Sequence, residues 1–239
     1  MIHLTGYKIN EEIFKSNSST IFRGTRVVDN CPVVIKLLNN EYPTDKELTL
    51  FNREFEIMRD LDGSGGVVKA YSLEKHNNSL AIVMEDIGGK SIAQGLKNFN
   101  MSFDEKLTLA IKITQSLVQV HYKNIIHKDV NPSNFIWNTK TNEVKIIDFG
   151  LSTELTREAS QSIDLNILKG TLDYISPEQT GRINRPIDYR TDLYSLGITL
   201  YELFTGQLPF RGTDELELIY NHIAKKPVPP IEIDSEIPV

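Results

Sequence analysis

His127-Lys128-Asp129-Val130-Asn131-Pro132-Ser133-Asn134, followed downstream by Ile146-Ile147-Asp148-Phe149-Gly150, is the stretch on which the reading of this chain turns. Asp129 and Asn134 stand on one proline-broken loop, and Asp148 closes a short β-branched run ahead of Phe149-Gly150. Between them, Phe135-Ile136-Trp137 and Val144-Lys145-Ile146-Ile147 flank a polar turn from Asn138 to Glu143. That pattern predicts a small hairpin, which would return Asp148 to the side of the loop. Taken singly, Asp129 and Asn134 could be loop caps and Asp148-Phe149-Gly150 a chance turn. Both motifs in this order are a stronger signal than either alone.

Working outward, Leu107, Ala110, Ile111, Thr114, Leu117, Val118 and His121 follow helical spacing and predict one buried helix face. Residues 151–170 carry many Ser, Thr, Glu and Asp without periodicity and read as a mobile loop. Asp192 to Phe204 is apolar nearly all round, which predicts a buried helix stopped by Gly206 and Pro209. In the first third, Cys31 to Leu38 is short and β-branched, a strand with Pro32 at its start. Thr44-Asp45-Lys46-Glu47 is a capping box opening a helix. Leu48, Phe51, Phe55, Met58 and Leu61 form its apolar stripe, and Gly63-Ser64-Gly65-Gly66 ends it. Val67-Val68 and Leu80 to Met84 read as two further strands joined through Lys75 to Ser79.

The helix carries an independent signal. At about 100° per residue, Glu54 falls within the stripe of Phe51, Phe55 and Met58, whereas Glu56 faces water. A carboxylate on a buried face is costly unless paired. Lys36, on the strand Val33-Val34-Ile35-Lys36, is the natural partner.

The chain has 239 residues with 26 Lys+Arg against 32 Asp+Glu, a net charge of −6 at pH 7. That length suits one or two domains with a real core. A mildly acidic balance argues against nucleic acid or anionic membrane as the main partner. One cysteine, Cys31, excludes an intrachain disulfide and fits a reducing compartment. Neither a secretory signal nor an apolar run long enough for a membrane span is visible, so a cytoplasmic location is expected.

The loop and the Asp-Phe-Gly turn resemble the protein kinase family, whose catalytic loop reads H-R-D-x-x-x-x-N and whose metal loop reads D-F-G. The resemblance covers essentially the whole chain. It implies an α+β two-lobe fold: a small β-rich N-lobe with one helix over residues 1–87, and a larger, mostly helical C-lobe over 88–239. It also implies ATP and Mg²⁺, with Asp129 as catalytic base and Asn134 and Asp148 as metal ligands. Val33-Val34-Ile35-Lys36 resembles the family's V-A-I-K strand, whose lysine, paired with Glu54, would hold the α- and β-phosphates. Ile13, Ile21, Val34, Met84 and Ile136 match the positions that sandwich adenine, although all five are also core-forming side chains. Met84 resembles the gatekeeper, with Glu85-Asp86-Ile87 as the hinge. Met58, His127 and Phe149 correspond to the packed spine of active kinases. Gly170 to Glu178 resembles the segment that receives a protein substrate, and Asp192 the aspartate that braces the catalytic loop. Asn131 to Asn134 is nearer the serine/threonine form of the loop. The wording of Glu41 to Thr44, His127 to Phe135 and Gly170 to Phe210 is similar to the N-terminal kinase domain of bacterial multi-sensor multi-kinases. There, nucleotide-binding, sensor and often histidine-kinase regions follow.

Departures from the family pattern are specific. The phosphate-covering G-x-G-x-x-G positions fall on Phe14, Ser16 and Ser19, with no glycine among them. Standing alone, Ser16 to Thr20 reads as a polar hairpin tip. Asn131 stands where kinases carry a lysine at the γ-phosphate. It can donate a hydrogen bond there but brings no charge, so slow catalysis is expected. Lys128 replaces an arginine that clamps a phosphorylated loop, and Ser152, Thr153, Thr156, Ser160 and Ser162 are the candidate acceptors. After Phe210 there is room for one amphipathic helix, Thr213 to Ala224, so a truncated C-lobe is expected. Apolar surface beneath the buried helix would then be exposed, and Glu178 would lack its usual arginine. The principal reading is an ATP-dependent protein serine/threonine kinase. The alternative is a weakly active or inactive pseudokinase serving as a nucleotide-sensing or docking module of a larger signalling protein.

Overall fold

The structure, a computed structural model, describes residues 4–96, 101–154 and 172–238. Five antiparallel strands make the first sheet: β1 (Tyr7–Lys15), β2 (Ser19–Arg26), β3 (Cys31–Leu38), β4 (Ala70–His76) and β5 (Ser79–Glu85), in the order β1-β2-β3-β5-β4. Alternation along β3 assigns its two faces. Val33, Ile35 and Leu37 join Phe22, Ala81 and Val83 in a small core on one side, closed by Leu4. Val34, Lys36 and Leu38 point to the other side, where Leu38, Ile82 and Met84 enter the main core. A slip of one residue would exchange these sets, so the register that places Lys36 is held by the whole apolar pattern.

Helix α1 (Asp45–Asp60) packs on the main-core face of this sheet. Its capping box forms as expected, the Thr44 hydroxyl accepting from Glu47 N–H while the Glu47 carboxylate accepts from Thr44 N–H. Phe51, Ile57 and Met58 are buried along with Glu54, and Glu56 is exposed. The expectation of a strand at Val67-Val68 does not hold. Those residues run against Ile146, with Val68 N–H donating to its carbonyl at 3.2 Å, and β4 begins only at Ala70. Just ahead of them Gly66 lies against Ser116, where a Cβ would stand 2.5 Å from the Ser116 Cα.

From residue 90 onward a short strand β6 (Lys90–Ser91) and helix α2 (Ile92–Leu96) lead to the long helix α3 (Phe103–Tyr122). The expected buried face of α3 is offset from the observed one. Ala110 and Leu117 are buried, but Leu107, Ile111 and Val118 are about half exposed, and Leu109, Ile113, Ser116 and Val120 point inward instead. The cause is Ser116, which interrupts the apolar pattern because Gly66 and the Val144 carbonyl crowd that spot. Its hydroxyl donates to the carbonyls of Lys112 and Val144. Strand β7 (Ile125–Ile126) leads into the loop. The predicted hairpin follows as β8 (Phe135–Asn138) and β9 (Glu143–Ile146), and β7 pairs with β10 (Thr153–Glu154).

Helix α4 (Tyr189–Thr205) is capped by Asp188 and ended by Gly206 at φ 73°, a left-handed C-cap that glycine takes without strain. It is buried apart from one side, where Tyr189 and Leu193 are half exposed. Helix α5 (Glu215–Ala224) is the expected amphipathic helix. A further short helix, α6 (Pro230–Ile233), was not anticipated; just ahead of it the Val228 carbonyl accepts from the Tyr201 hydroxyl of α4. Among the described residues no helix is long and apolar enough to cross a membrane. The β-rich lobe with one long helix and the helical lobe after it make a protein-kinase-like fold.

Candidate active site

Lys36 leaves β3 opposite Ile21 and Ile82, and its ammonium reaches two carboxylates: Glu54 Oε1 at 2.6 Å and Asp148 Oδ1 at 2.9 Å. Lys36 and Glu54 side chains are 12 % and 4 % exposed, so neither charge is tolerable without the other. Burial alone would lower the lysine, yet the charges of Asp148 and Glu54 outweigh it and the net shift is upward. Glu54 is pushed up by burial against the pull of Lys36, while Asp148, on the same ammonium, is held below the ordinary carboxylate range. Asp148 also takes a left-handed φ of 65°, unusual for a non-glycine residue.

The catalytic-loop segment is fixed from below by α4. Asp192, fully buried, accepts from His127 N–H at 2.8 Å, Lys128 N–H at 2.7 Å and the His121 ring at 2.8 Å. His121 was expected to be part of an apolar face; only the position of Asp192 reveals its use. His127 stacks edge-on against Phe149 at 4.9 Å and contacts the Ile147 carbonyl through Nε2 at 3.0 Å, and Met58 is buried. The Asp129 carboxylate receives two amides, Asn131 Nδ2 at 2.9 Å on Oδ1 and Asn134 Nδ2 at 2.8 Å on Oδ2. Burial, then the charge of Asp148, raises the Asp129 carboxyl. Asn131 is buried and its amide is turned onto Asp129 rather than outward, its oxygen accepting from Ser133 N–H.

Ile13 on β1, Ile21 on β2, Val34 on β3 and Ile136 on β8 are partly exposed, and Met84 on β5 is buried. The segment after Met84 is held at each residue. Glu85 accepts from Lys69 N–H and Lys145 Nζ, Asp86 from Arg23 and Gly88 N–H, and the Ile87 carbonyl from Asn138 Nδ2. Lys145 and Asn138 come from the hairpin and were not visible as site residues in the sequence. Ser16 and Ser19 sit at the β1–β2 tip, in the pairing register just beyond Ile21 and Lys36.

Below the loop, Gln179 Nε2 donates to the Lys128 carbonyl at 2.8 Å, tying the Pro177–Thr180 turn to the same segment. Glu178 accepts from the Thr191 hydroxyl at 2.7 Å, a partner within this chain in place of the arginine. Ser152 is buried with its hydroxyl on the His127 carbonyl, and Thr153 is buried in β10, so neither offers itself for modification. Thr156, Ser160, Ser162, Gly170 and Thr171, and most of the expected 151–170 loop, lie outside the described residues.

Lys36 stands between Glu54 and Asp148, and the charge of Asp148 in turn reaches Asp129. Asn134 spends its nitrogen on Asp129. That leaves its amide oxygen and the Asp148 carboxylate, which is 45 % exposed, as hard donors suited to a divalent cation. Among the described residues no group of three or more His, Cys, Asp or Glu is placed to hold a metal ion.

The protein kinase domain family matches residues 7–238. A probable serine/threonine-protein kinase of Clostridium acetobutylicum is 32 % identical over 235 residues, covering 98 % of this chain and 35 % of that protein. One from Clostridium perfringens is 31 % identical over 234 residues, covering 97 % and 33 %. The serine/threonine-protein kinase PrkC of Bacillus subtilis is 28 % identical over 221 residues, covering 91 % and 33 %. The chain thus spans about a third of the length of these relatives. With the family match running through both lobes and the ion-paired lysine, amide-held aspartate and second aspartate at its centre, the chain belongs to the protein kinase family.

Proposed function

We propose that this chain is an ATP-dependent protein serine/threonine kinase, moving the γ-phosphate of ATP to a Ser or Thr hydroxyl of a protein substrate. The observation that carries this is Lys36 held on both Glu54 and Asp148, with Asp129 gripped by two amides beside them. Ile13, Ile21, Val34, Met84 and Ile136 enclose the adenine, the backbone of Glu85 and Ile87 pairs its edge, and Lys36 binds the α- and β-phosphates. Asp129 receives the proton of the incoming hydroxyl as the new O–P bond forms and the bond from the γ-phosphorus to the β,γ-bridging oxygen breaks, releasing ADP. Asn131 and Asn134 keep the carboxylate of Asp129 aimed, and its raised pKa suits a proton acceptor. Asn134 and Asp148 would hold Mg²⁺, which neutralises phosphate charge when bound. Residues 1–87 and 88–239 serve as the two lobes.

The domain context is also proposed. A catalytic module spanning a third of its relatives' length fits a larger cytoplasmic signalling protein with linked sensor, nucleotide-binding and histidine-kinase regions, of the multi-sensor multi-kinase kind. The test is transfer of label from γ-labelled ATP to a generic acceptor protein by the full-length protein. Transfer should fall by about 10³ in Asp129→Asn, and equal background in both would contradict it. A second reading, a weakly active or inactive pseudokinase that senses nucleotide or docks partners, is favoured by one observation: the Asn131 amide is turned onto Asp129 instead of toward a phosphate. Mg·ATP binding without any transfer would select that reading.

A further inference from the structure

The tip of the β1–β2 hairpin holds no glycine, and none of residues 14–20 adopts a positive φ. Conformational freedom is therefore not how this tip reaches its shape. Its hydrogen bonds are also unusual for a two-residue turn. Ser19 N–H does not close onto the Ser16 carbonyl; it donates to the Ser16 hydroxyl at 3.0 Å, as Ser18 N–H does at 3.3 Å. The Ser16 carbonyl is instead taken by Asn39 Nδ2 at 2.8 Å. The same nitrogen lies 3.4 Å from the Asn17 carbonyl, and the main-chain N–H of Asn39 donates to the Ser18 carbonyl at 2.9 Å. Asn39 Oδ1 accepts from the Thr20 hydroxyl at 2.5 Å. One residue at the exit of β3 thus draws three successive carbonyls to itself and grips the strand that follows.

Because each peptide is planar and trans, drawing the carbonyls of Ser16, Asn17 and Ser18 to one side turns the N–H groups of Asn17, Ser18 and Ser19 to the other. Successive N–H groups turned one way form an anion-accepting concavity. Here an oxygen, Ser16 Oγ, already sits where two of them converge. The pairing of Ser19 with Leu38 and of Ile21 with Lys36 puts both on the face of β2 that carries Lys36 across the ladder.

We infer that Asn39 is the positioning residue of the phosphate cover: by anchoring the tip's carbonyls it aims the tip's N–H groups at the triphosphate, a task that needs no glycine here. This rests on the nucleotide reading above. The Ser16 hydroxyl holds the place of a phosphate oxygen and yields it by side-chain rotation. Asn39 itself touches no substrate.

The test compares Mg·ATP and adenosine binding by calorimetry, with KM and kcat for ATP, in wild type, Asn39→Ala and Thr20→Val. Asn39→Ala should weaken Mg·ATP about tenfold, raise KM more than it lowers kcat, and leave adenosine, which has no phosphates, unchanged within about twofold. Thr20→Val removes one hydroxyl and should shift Mg·ATP the same way by about threefold, which keeps the test alive if Asn39→Ala folds poorly. Unchanged Mg·ATP affinity in both variants overturns the inference. So does an equal loss for ATP and adenosine, which would make Asn39 a support of the sheet in general. If wild type binds neither ligand, the nucleotide reading falls and takes this inference with it.

Discussion

The segment 127–134 and the β1–β2 tip, both assigned to the nucleotide site proposed above, are held by different rules. In the first, particular side-chain atoms are engaged: Asp192 accepts two main-chain N–H groups, and Asp129 is met by an amide on each oxygen. In the second, only the direction of main-chain N–H groups matters, and an outside residue, Asn39, can set it. Side-chain chemistry of the first kind tolerates few substitutions. Backbone direction can be met by many sequences, which is why the loop keeps its family wording and the tip does not.

That contrast predicts steep losses in one region and shallow ones in the other. The steepest is Lys36→Met, which strands the Glu54 carboxylate at 4 % exposure. Melting should report about 3 kcal/mol of lost stability, or roughly 6–12 °C, with transfer down about 10²–10³. A variant that melts like wild type would break the comparison at its strongest point. Asp192→Asn comes next. It replaces an acceptor with a donor opposite main-chain N–H groups and should cost about 2 kcal/mol with a matching fall in transfer, read by denaturant titration.

The pH profile sharpens the same side. As the proposed proton acceptor Asp129 must be deprotonated, and burial followed by the Asp148 charge raises its pKa. Rate therefore rises with pH through a midpoint above the ordinary value of about 3.9. Because the Asn131 amide favours the charged form, Asn131→Ala should move the acid limb of kcat/KM further up. A limb that stays put would remove Asn131 from the carboxylate. The smallest effect belongs to the tip. Ser16→Gly should change KM for ATP by less than about threefold, since Asn39 still holds the carbonyls; a tenfold change would shift the weight from Asn39 to Ser16.

Much of the site was legible because burying charge leaves a trace in sequence. Glu54 lay on an apolar stripe, which is improbable for a carboxylate unless paired, and the 2.6 Å contact with Lys36 is that pair. The capping box of α1 and the hairpin carrying Asp148 were equally plain, being local patterns. What was missed depends on distant packing. The α3 face was misplaced because Ser116 answers to Gly66 and Val144, far away in sequence. Val67-Val68 looked like a strand because β-branching reports a preference for extended backbone, not the neighbour it pairs with. Asn39, Asn138 and His121 carry no local signature at all, since a polar side chain at the end of an element is ordinarily solvated.

The account stands on Lys36, Asn134 and Asp148 meeting one magnesium-bound triphosphate, and thermal melting with ATP measures that meeting directly. At 100 times the Kd, bound Mg·ATP should stabilise the wild-type protein by about 2.7 kcal/mol. The shift should largely vanish when Mg²⁺ is chelated or Asp148 is replaced by Asn. An equal shift in Asp148→Asn with and without the metal, or no shift in wild type, would contradict it.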